Sequence, residues 1–582
     1  MCGIWLYFRS NQSESEYSSN QQLEDETLQY LREHFVKINH RGPDCNSFHH
    51  LTPNLIFGFH RLAIMDTSCL ADQPLIGEKS VVICNGEIFN YRTLINELDY
   101  HPRTGSDCEI ILPLYEKHGI LATVQQLDAE FAFVIYDKTC NQLHIARDRF
   151  GVRPLFWAIT PDGQLFLSSE AKAIPTLDSK GMLVKVQPFP PGHYLTISMD
   201  PVKNIDSTKE MKFPGPASLV NSVDLEPKPF FQFHNAISPS LNNEEKIHEN
   251  IAELVTSAVK KRLMSDRPLG CFLSGGLDSS LVTSITWHQF SPTERKNFHC
   301  FSIGLPNSVD IKAAEEVVKY LGIQHHHIVN FSIEEGLEAL EQVIYHLESY
   351  DVTTIRASVP QYLLAKYIAG KTSIRVLLSG EGADELFGGY QYFKKCPDAE
   401  SLRKESRRLL SELYLFDNLR TDRTTAAHGL EVRAPFLDRD LVDYVDQISA
   451  EYRMCSDCKM EKKVLRDSFN EKEMLPDSIL YRRKEAFSDA VSSQETSWYQ
   501  SLVKHIEKKM LKDVTENELL ERGKTCYPFN SPRTLEGLYY RELFEHHHSG
   551  RANLIPHYWM PRWVQLKKWD PSATQLDCHE CS

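Results

Sequence analysis

The apolar run at 269–273, followed at once by Ser274-Gly275-Gly276-Leu277-Asp278-Ser279-Ser280 and then by a helical pattern, constrains this chain more than any other stretch. Glycines let the backbone approach a phosphate closely, and successive N–H groups with the helix N-terminus hold the anion. The surroundings alternate. A helix-like stretch runs from 246 to 263, and strand-like runs lie at 298–305, 327–331 and 374–378. Between them, Ile311, Ala314, Val318 and Leu321 share one helical face. This order predicts an α/β domain with a parallel sheet and helices on its faces. The strand at 374–378 leads into Ser379-Gly380-Glu381-Gly382-Ala383-Asp384-Glu385-Leu386-Phe387-Gly388-Gly389-Tyr390. In a doubly wound sheet both loops lie at the carboxyl ends of strands, where ligands bind. Asp278 suits a magnesium ion, which prefers carboxylate and phosphate oxygens. The loop is not a Walker A motif, because GxxxxGK[ST] is absent. The chain continues mainly helical to about residue 560.

The first ~200 residues obey a different rule. Short strand-like runs at 55–64, 81–83, 131–136, 143–146 and 165–167 are separated by Gly, Pro and Asn, and 22–38 carries Leu28, Leu31, Phe35 and Ile38 at helical spacing. This predicts an α+β domain of antiparallel sheets. Prolines recur without a period through 201–245. The expected organisation is therefore a domain at 2–200, a linker at 201–245, a second domain at 246–570 and a disordered tail at 571–582. With 582 residues, a single core is not expected.

Charge and cysteine usage narrow the class. The net charge of 64 − 79 = −15 argues against nucleic acid or an anionic membrane as partner. No apolar run reaches the ~20 residues of a membrane span, and the N-terminus lacks signal-peptide character, so a cytoplasmic protein is expected. The 14 cysteines are read as free thiols, including the CxxC pairs Cys455/Cys458 and Cys578/Cys581. The runs His325–His327 and His546–His548 are read as surface or strand residues, since adjacent side chains point in different directions.

Cys2 becomes the first residue if Met1 is removed. Its thiol then lies beside an α-amine with an unperturbed pKa of about 7.7–8.0, a usable base. Alone it is one thiol among 14, but Arg41-Gly42-Pro43-Asp44, His60-Arg61-Leu62-Ala63-Ile64, Asn85-Gly86-Glu87-Ile88-Phe89-Asn90 and Gly105-Ser106-Asp107 follow in order. Arg61 can pair with an α-carboxylate and Asp107 can accept from an α-ammonium, so together they would read an amino acid's charged ends. The Asn85 side chain and the Gly86 N–H can form an oxyanion hole.

These motifs, in this order, resemble the glutamine-dependent asparagine synthetase family. The loop at 274–280 resembles the pyrophosphate loop of ATP pyrophosphatases. The resemblance spans nearly the whole chain, including 347–358 and 422–438. It implies a class II amidotransferase αββα sandwich joined to a pyrophosphatase-type synthetase domain. Aspartate, glutamine and ATP would give asparagine, glutamate, AMP and pyrophosphate through β-aspartyl-AMP. By the same resemblance Cys2 is the nucleophile, and Arg61, Leu62, Ala63, Ile64, Met65, Asn85, Gly86, Glu87 and Asp107 form the glutamine pocket. Leu273, Ser274, Gly275, Gly276, Asp278, Ser279, Ile303, Ser379 and Gly380 contact ATP, and Asp278 and Asp384 hold Mg2+. Glu381 serves β-aspartyl-AMP formation, Glu348 deprotonates ammonia, and Lys462 stabilises the intermediate. A homodimer and an internal ammonia path are also implied. This chain departs from the pattern at Ala383, where relatives have Ser, at Lys463 within Glu461-Lys462-Lys463, where they have His, and in a longer polar stretch at 10–30, read as a surface insertion. The rivals are a β-lactam synthetase-like protein, other amidating enzymes of this build, and a non-catalytic binding protein. Cys2 with its pocket argues against the first and the retained acids against the last.

Overall fold

The computed structural model describes residues 1–9, 25–160, 163–178, 181–199, 225–234, 243–456, 459–484, 491–492, 497–512, 514–564 and 569. Most of the expected linker, the expected tail, Cys458, Cys578 and Cys581, and most of the polar stretch at 10–30 lie outside the described residues. The chain divides into two compact units: Met1–Gln232 with Ser549–Leu554, and Phe233–His548 with Ile555–Ser582. The first unit thus includes six residues from late in the chain, which a reading of contiguous stretches does not reach. Among the described residues, no helix is long and apolar enough to cross a membrane.

The first unit holds two six-stranded antiparallel sheets. One runs in the order Gln187–Pro188, Phe156–Ile159, Gln164–Ser168, Gly3–Arg9, Leu55–Arg61, Cys45–Thr52. The other runs Lys228–Pro229, His193–Ser198, Gln142–Arg147, Ala129–Asp137, Ser80–Ile88, Leu75–Ile76. Strand Gly3–Arg9 shows why they stack. Side chains alternate across a strand, and here both faces are apolar. Ile4, Leu6 and Phe8 join Val81, Ile83, Val134 and Ile145 in a core shared by the two sheets. Trp5 and Tyr7 join Leu31, Phe35 and Ile38, carried by helix Asp25–Phe35 and the 3-10 turn Val36–Arg41. Each layer buries what the next presents, at ~1.5–3 kcal/mol per large apolar side chain. The indole of Trp5 is fully buried and donates to the Ala173 carbonyl at 2.9 Å. Gly58 lets Phe35 approach, since a Cβ there would sit 2.7 Å from its ring.

Several expected bounds shift at element ends, among them 81–83, which is Ser80–Ile88, and 374–378, which is Val376–Leu378; two further shifts have a visible cause. The strand foreseen at 55–64 stops at Arg61, because the next amides leave the ladder for side chains: Leu62 N meets Cys2 Sγ at 3.4 Å and Ala63 N donates to Asp44 Oδ2 at 2.9 Å. The strand foreseen at 327–331 begins earlier, as His325–Asn330, since His325 pairs with His299.

The second unit centres on a parallel five-stranded sheet, ordered His325–Asn330, His299–Gly304, Leu269–Phe272, Val376–Leu378, Glu431–Arg433. Leu269–Phe272 is central, so the loop it feeds opens at the middle of the carboxyl edge. Helix Leu277–Gln289 follows that loop directly.

Candidate active sites

In the first unit, Cys2 stands just before strand Gly3–Arg9, whose Gly3 pairs with His60. Its Sγ meets both Leu62 N (3.4 Å) and Leu62 O (3.5 Å). Arg41 pins the chain entry: Nε donates to the Cys2 carbonyl at 2.9 Å, and Nη1 to Glu170 at 2.8 Å. Arg41 is fully buried, so its ion pair with Glu170 is insulated from water. The Arg-Gly-Pro motif has a steric cause as well: a Cβ on Gly42 would lie 2.2 Å from the His60 carbonyl carbon.

Strand Ser80–Ile88 pairs regularly with Ala129–Asp137, so Val81, Ile83, Asn85 and Glu87 share one face. Val81 and Ile83 lie in the inter-sheet core against which Cys2 packs, which puts Asn85 on the thiol's side. Asn85 is buried, and its Nδ2 has no hydrogen-bond partner. A buried donor left unmade costs roughly 1–3 kcal/mol unless a ligand takes it up. Gly86 allows the neighbouring strand to come close; a Cβ there would be 2.4 Å from the Glu130 carbonyl oxygen. Asp107 opens a 3-10 turn and accepts from Ile88 N at 2.6 Å, tying the turn to the end of the same strand.

Arg61 is already paired. Its guanidinium donates to Asp72 and the Ser68 carbonyl, each at 2.6 Å, to the Met65 carbonyl at 3.4 Å, and to the Asp66 carbonyl. The loop at 65–72 therefore wraps the group that sequence reading left open to a substrate carboxylate. Asp72, unnoticed in the sequence, supplies a carboxylate to Arg61.

The orphaned donor leads to a prediction. Asn85→Ala is expected to lower kcat for glutamine hydrolysis by about 10²-fold with little change in KM, because an oxyanion donor acts on the developing charge. Steady-state glutaminase assays measure this; a KM effect alone would assign Asn85 to ground-state binding.

In the second unit, a cavity of about 270 Å3 is lined by Leu273, Ser274, Gly276, Asp278, Ser279, Ile303, Ser379, Gly380, Glu381, Asp384 and Lys462, all singled out from sequence. Gly275 is not part of the lining. It has φ +77°, and a Cβ would lie 2.6 Å from Ala314 N, so it shapes the loop against helix Val309–Leu321. The hydroxyl of Ser279 folds the loop back, meeting Ser274 N at 3.1 Å and Ser274 Oγ at 2.9 Å. The two glycine-rich loops touch at Gly380, where a Cβ would stand 2.8 Å from Asp278 Cβ and from Ser279 N.

Lys462 joins the two acidic positions. Its Nζ lies 2.5 Å from Asp278 Oδ2 and 2.6 Å from Asp384 Oδ1. Lys484 reaches the other oxygen of Asp384 at 2.6 Å. Burial opposes the charged form of Asp384, but Lys462 and then Lys484 outweigh it and hold its carboxyl well below the usual range. Burial likewise opposes the Lys484 ammonium, which Asp384 and Asp278 raise above its ordinary value. The result is a compact cluster in which Lys462 bridges Asp278 and Asp384 and Lys484 takes the second oxygen of Asp384. Asp278 Oδ1 is buried and has no hydrogen-bond partner.

Behind this cluster, Arg420 donates to Glu381 at 2.8 Å, to Asp417 at 2.9 Å and to Gln361 at 2.7 Å. Glu381 is pushed up by burial, against the pull of Arg420. Burial, with the charges of Asp417 and Asp384, pushes Glu385 up to about 8. Its carboxyl is hydrogen-bonded to the Tyr390 hydroxyl.

Glu348 does not line the cavity. It ends helix Ile333–Leu347 in the left-handed region, with φ +55°, and pairs at 2.9 Å with Arg423, both buried. Lys462 is also left-handed, with φ +54°. Such backbone costs of order 1–3 kcal/mol for a side-chain-bearing residue and gathers at functional positions. The family departures are locally mild. Ala383 is fully buried, where a serine hydroxyl would need a partner, and Lys463 is half-exposed, paired with Asp467 one turn on.

Sequence reasoning missed Lys484, Arg482, Arg420 and Asp417. Arg482 donates to Gly275 O at 2.9 Å and to Asp310 at 2.8 Å, bracing the phosphate loop. The run Arg482-Arg483-Lys484 was a visible signal, but three cations in a row usually mark a solvated face.

A paired-sheet unit with its thiol at the head of a strand, and a parallel-sheet unit with a phosphate loop at its centre, have counterparts among known proteins. A glutamine amidotransferase domain model matches residues 1–207, and an asparagine synthase model matches residues 250–412 and 394–571. The class is thus an N-terminal glutamine amidotransferase domain joined to an asparagine synthase domain built on a parallel sheet. The chain is 45% identical over 550 residues to a probable glutamine-hydrolyzing asparagine synthetase of Acanthamoeba polyphaga mimivirus, covering 93% of this chain and 95% of that one. It is 43% identical over 588 residues to the glutamine-hydrolyzing asparagine synthetase of Gallus gallus, covering 99% and 98%. Among solved structures it is similar to glutamine phosphoribosylpyrophosphate amidotransferase from B. subtilis, at 15% identity and TM-score 0.30, covering 57% of this chain and 91% of that one, too distant to carry an argument. The chain belongs to the glutamine-hydrolysing asparagine synthetase family.

Proposed function

We propose that the chain makes asparagine from aspartate, glutamine and ATP, with Cys2 releasing ammonia from glutamine and the cavity around Asp278, Asp384 and Lys462 activating aspartate as β-aspartyl-AMP. Family membership supports the overall reaction, and the site geometry supports the roles. Once Met1 is removed, the Cys2 α-amine takes the thiol proton as sulfur attacks the glutamine carboxamide. Asn85 Nδ2 and the Gly86 N–H receive the charge that builds on oxygen. Collapse expels ammonia and leaves a glutamyl thioester, which water cleaves to glutamate. Arg61 and Asp107 would hold the substrate's charged ends, with Asp72 yielding or sharing Arg61.

In the second unit, the aspartate β-carboxylate attacks the α-phosphorus of ATP and pyrophosphate leaves. Ser274–Ser279 would cradle the phosphates with loop amides, while Lys462 and Lys484 offset their growing charge. Asp278 and Asp384 would hold a magnesium ion, which supplies charge neutralisation to the phosphates when bound; the buried, unpartnered Asp278 Oδ1 fits such a ligand. Ammonia then attacks the acyl carbon and AMP leaves. Glu348, held by Arg423, is the proposed acceptor of ammonia's proton, and Glu381, held by Arg420, would position the acyl-adenylate. A homodimer and a cytoplasmic setting follow from family resemblance.

The observation that carries this reading is the convergence of Asp278, Asp384, Lys462 and Lys484 beside the Ser274–Ser279 loop. Product analysis with aspartate, glutamine and ATP tests it. Asparagine, glutamate, AMP and pyrophosphate are expected in equal amounts; ADP with phosphate would overturn the adenylate route.

A further inference from the structure

Among the described residues, two groups outside these sites bring three metal-type donor atoms within 4.8 Å of one another: Asp137, Cys140 and His144, and Glu341, His546 and His547. The first is already committed to hydrogen bonds. The Tyr115 hydroxyl sits 2.7 Å from both Asp137 and His144, Asp137 also accepts from Thr139, and the other nitrogen of His144 meets Thr196 at 2.9 Å. The second group is open. Its one recorded hydrogen bond is internal, between His547 Nε2 and Glu341 Oε1 at 3.0 Å, and Glu341 and His546 are exposed.

We propose that Glu341, His546 and His547 form a binding site for a first-row transition-metal dication of the zinc type, clamping helix Ile333–Leu347 to helix Leu535–His548. The donors come from two helices whose relative position is fixed by packing. Tyr345, one turn after Glu341, stacks on His548 with ring centroids 5.8 Å apart and meets the edge of His547 at 5.5 Å. His548 Nε2 bonds the Tyr345 carbonyl at 3.1 Å, and Phe544 packs on His548 at 5.3 Å. Two imidazoles and a carboxylate select zinc, cobalt or nickel over magnesium or calcium. Metal–ligand bonds of about 2.0–2.2 Å let one ion touch donors roughly 3–4 Å apart, so small rotamer changes close the site. His546 and His547 lie in the last turn of their helix, where the carbonyl ends favour a cation. On binding, the Nε2 proton that His547 donates to Glu341 is released to solvent, the ring carries its remaining proton on Nδ1 and offers the Nε2 lone pair, Glu341 binds as carboxylate, and water completes the shell. Sequence spacing argued against a site, because neighbouring histidines diverge; Glu341, from a helix about two hundred positions earlier, supplies the third donor. The clamped helix is the one that ends at Glu348.

The test is a Co2+ titration of tag-free, full-length protein stripped with EDTA, followed by visible and near-ultraviolet absorption. One equivalent should bind with a visible band and no thiolate-to-cobalt absorption, which separates this site from the cysteines. Glu341→Gln, His546→Ala and His547→Ala should each weaken binding by roughly tenfold or more. Without Co2+, all three variants should keep the glutaminase rate and, with Mg2+ supplied, the synthetase rate, showing that they fold. Absence of the band in the wild type, a thiolate-type spectrum, or unchanged affinity in the three variants would overturn the proposal.

Discussion

Cys2→Ala is expected to abolish glutamine hydrolysis, by at least about 10³-fold, while synthesis from ammonium chloride continues near the wild-type rate. Deleting a nucleophile removes the covalent route altogether, and losses of this size or greater are typical. Apart from the contacts of Sγ with Leu62, the residue is held through its backbone. Its carbonyl is bound by Arg41 at 2.9 Å, and strand Gly3–Arg9 is paired on both sides. Alanine keeps those backbone contacts and removes only Sγ, half-buried at the edge of the inter-sheet core, so folding should survive. Ammonium bypasses the first unit's chemistry and tests the second directly. If ammonium fails to support synthesis in a folded Cys2→Ala protein, the two half-reactions are not separable and Cys2 does more than release ammonia. Intact-mass measurement of the wild type provides the companion check, since a retained Met1 would leave Cys2 without its α-amine.

What sequence could and could not reveal follows from how local each feature is. The loop at 274–280 was legible because strand, glycines and helix start are contiguous, and each is there for a local reason. Asn85 and Gly86 came from the contiguous motif at 85–90, and it is the fold, through the two-residue period of strand Ser80–Ile88, that sets Asn85 on the face of Val81 and Ile83. The strand Glu431–Arg433 was not, since three residues are too few to show a period. Lys484 lies 100 residues from the carboxylate it pairs with, and only the fold brings them together. Asp72 reaches Arg61 through the course of the 65–72 loop, which no spacing rule encodes. Glu348 shows the opposite gap: resemblance supplied a role, while the fold put the side chain beside Arg423 in left-handed backbone, away from the cavity lining. Its left-handed turn is legible only in three dimensions, because nothing in Leu347-Glu348-Ser349 calls for a positive φ.

Lys462→Ala is expected to reduce aspartate-dependent pyrophosphate release by about 10³-fold and to leave glutamine hydrolysis unchanged. The magnitude is that of losing a charge aimed at a departing anion. Lys462 is the only described cation within salt-bridge distance of both Asp278 and Asp384, at 2.5 and 2.6 Å. Gly389 leaves room for it; a Cβ there would fall 2.1 Å from Lys462 Cε and 2.0 Å from Asp384 Oδ1. Without the ammonium, Lys484 still neutralises Asp384, so the cavity should hold its shape while Asp278 loses its recorded partner. Lys462→Arg should recover little, because a planar guanidinium must fit a slot built for a tetrahedral ammonium. Asp384→Asn separates electrostatics from packing: it keeps the side chain's shape, leaves the two ammoniums to repel, and should lose pyrophosphate release while glutamine hydrolysis persists. Equal loss of both activities in these variants would point to unfolding. Pyrophosphate release within a few-fold of wild type in Lys462→Ala would remove Lys462 from the adenylation step and leave Lys484 as the cation that meets the phosphates.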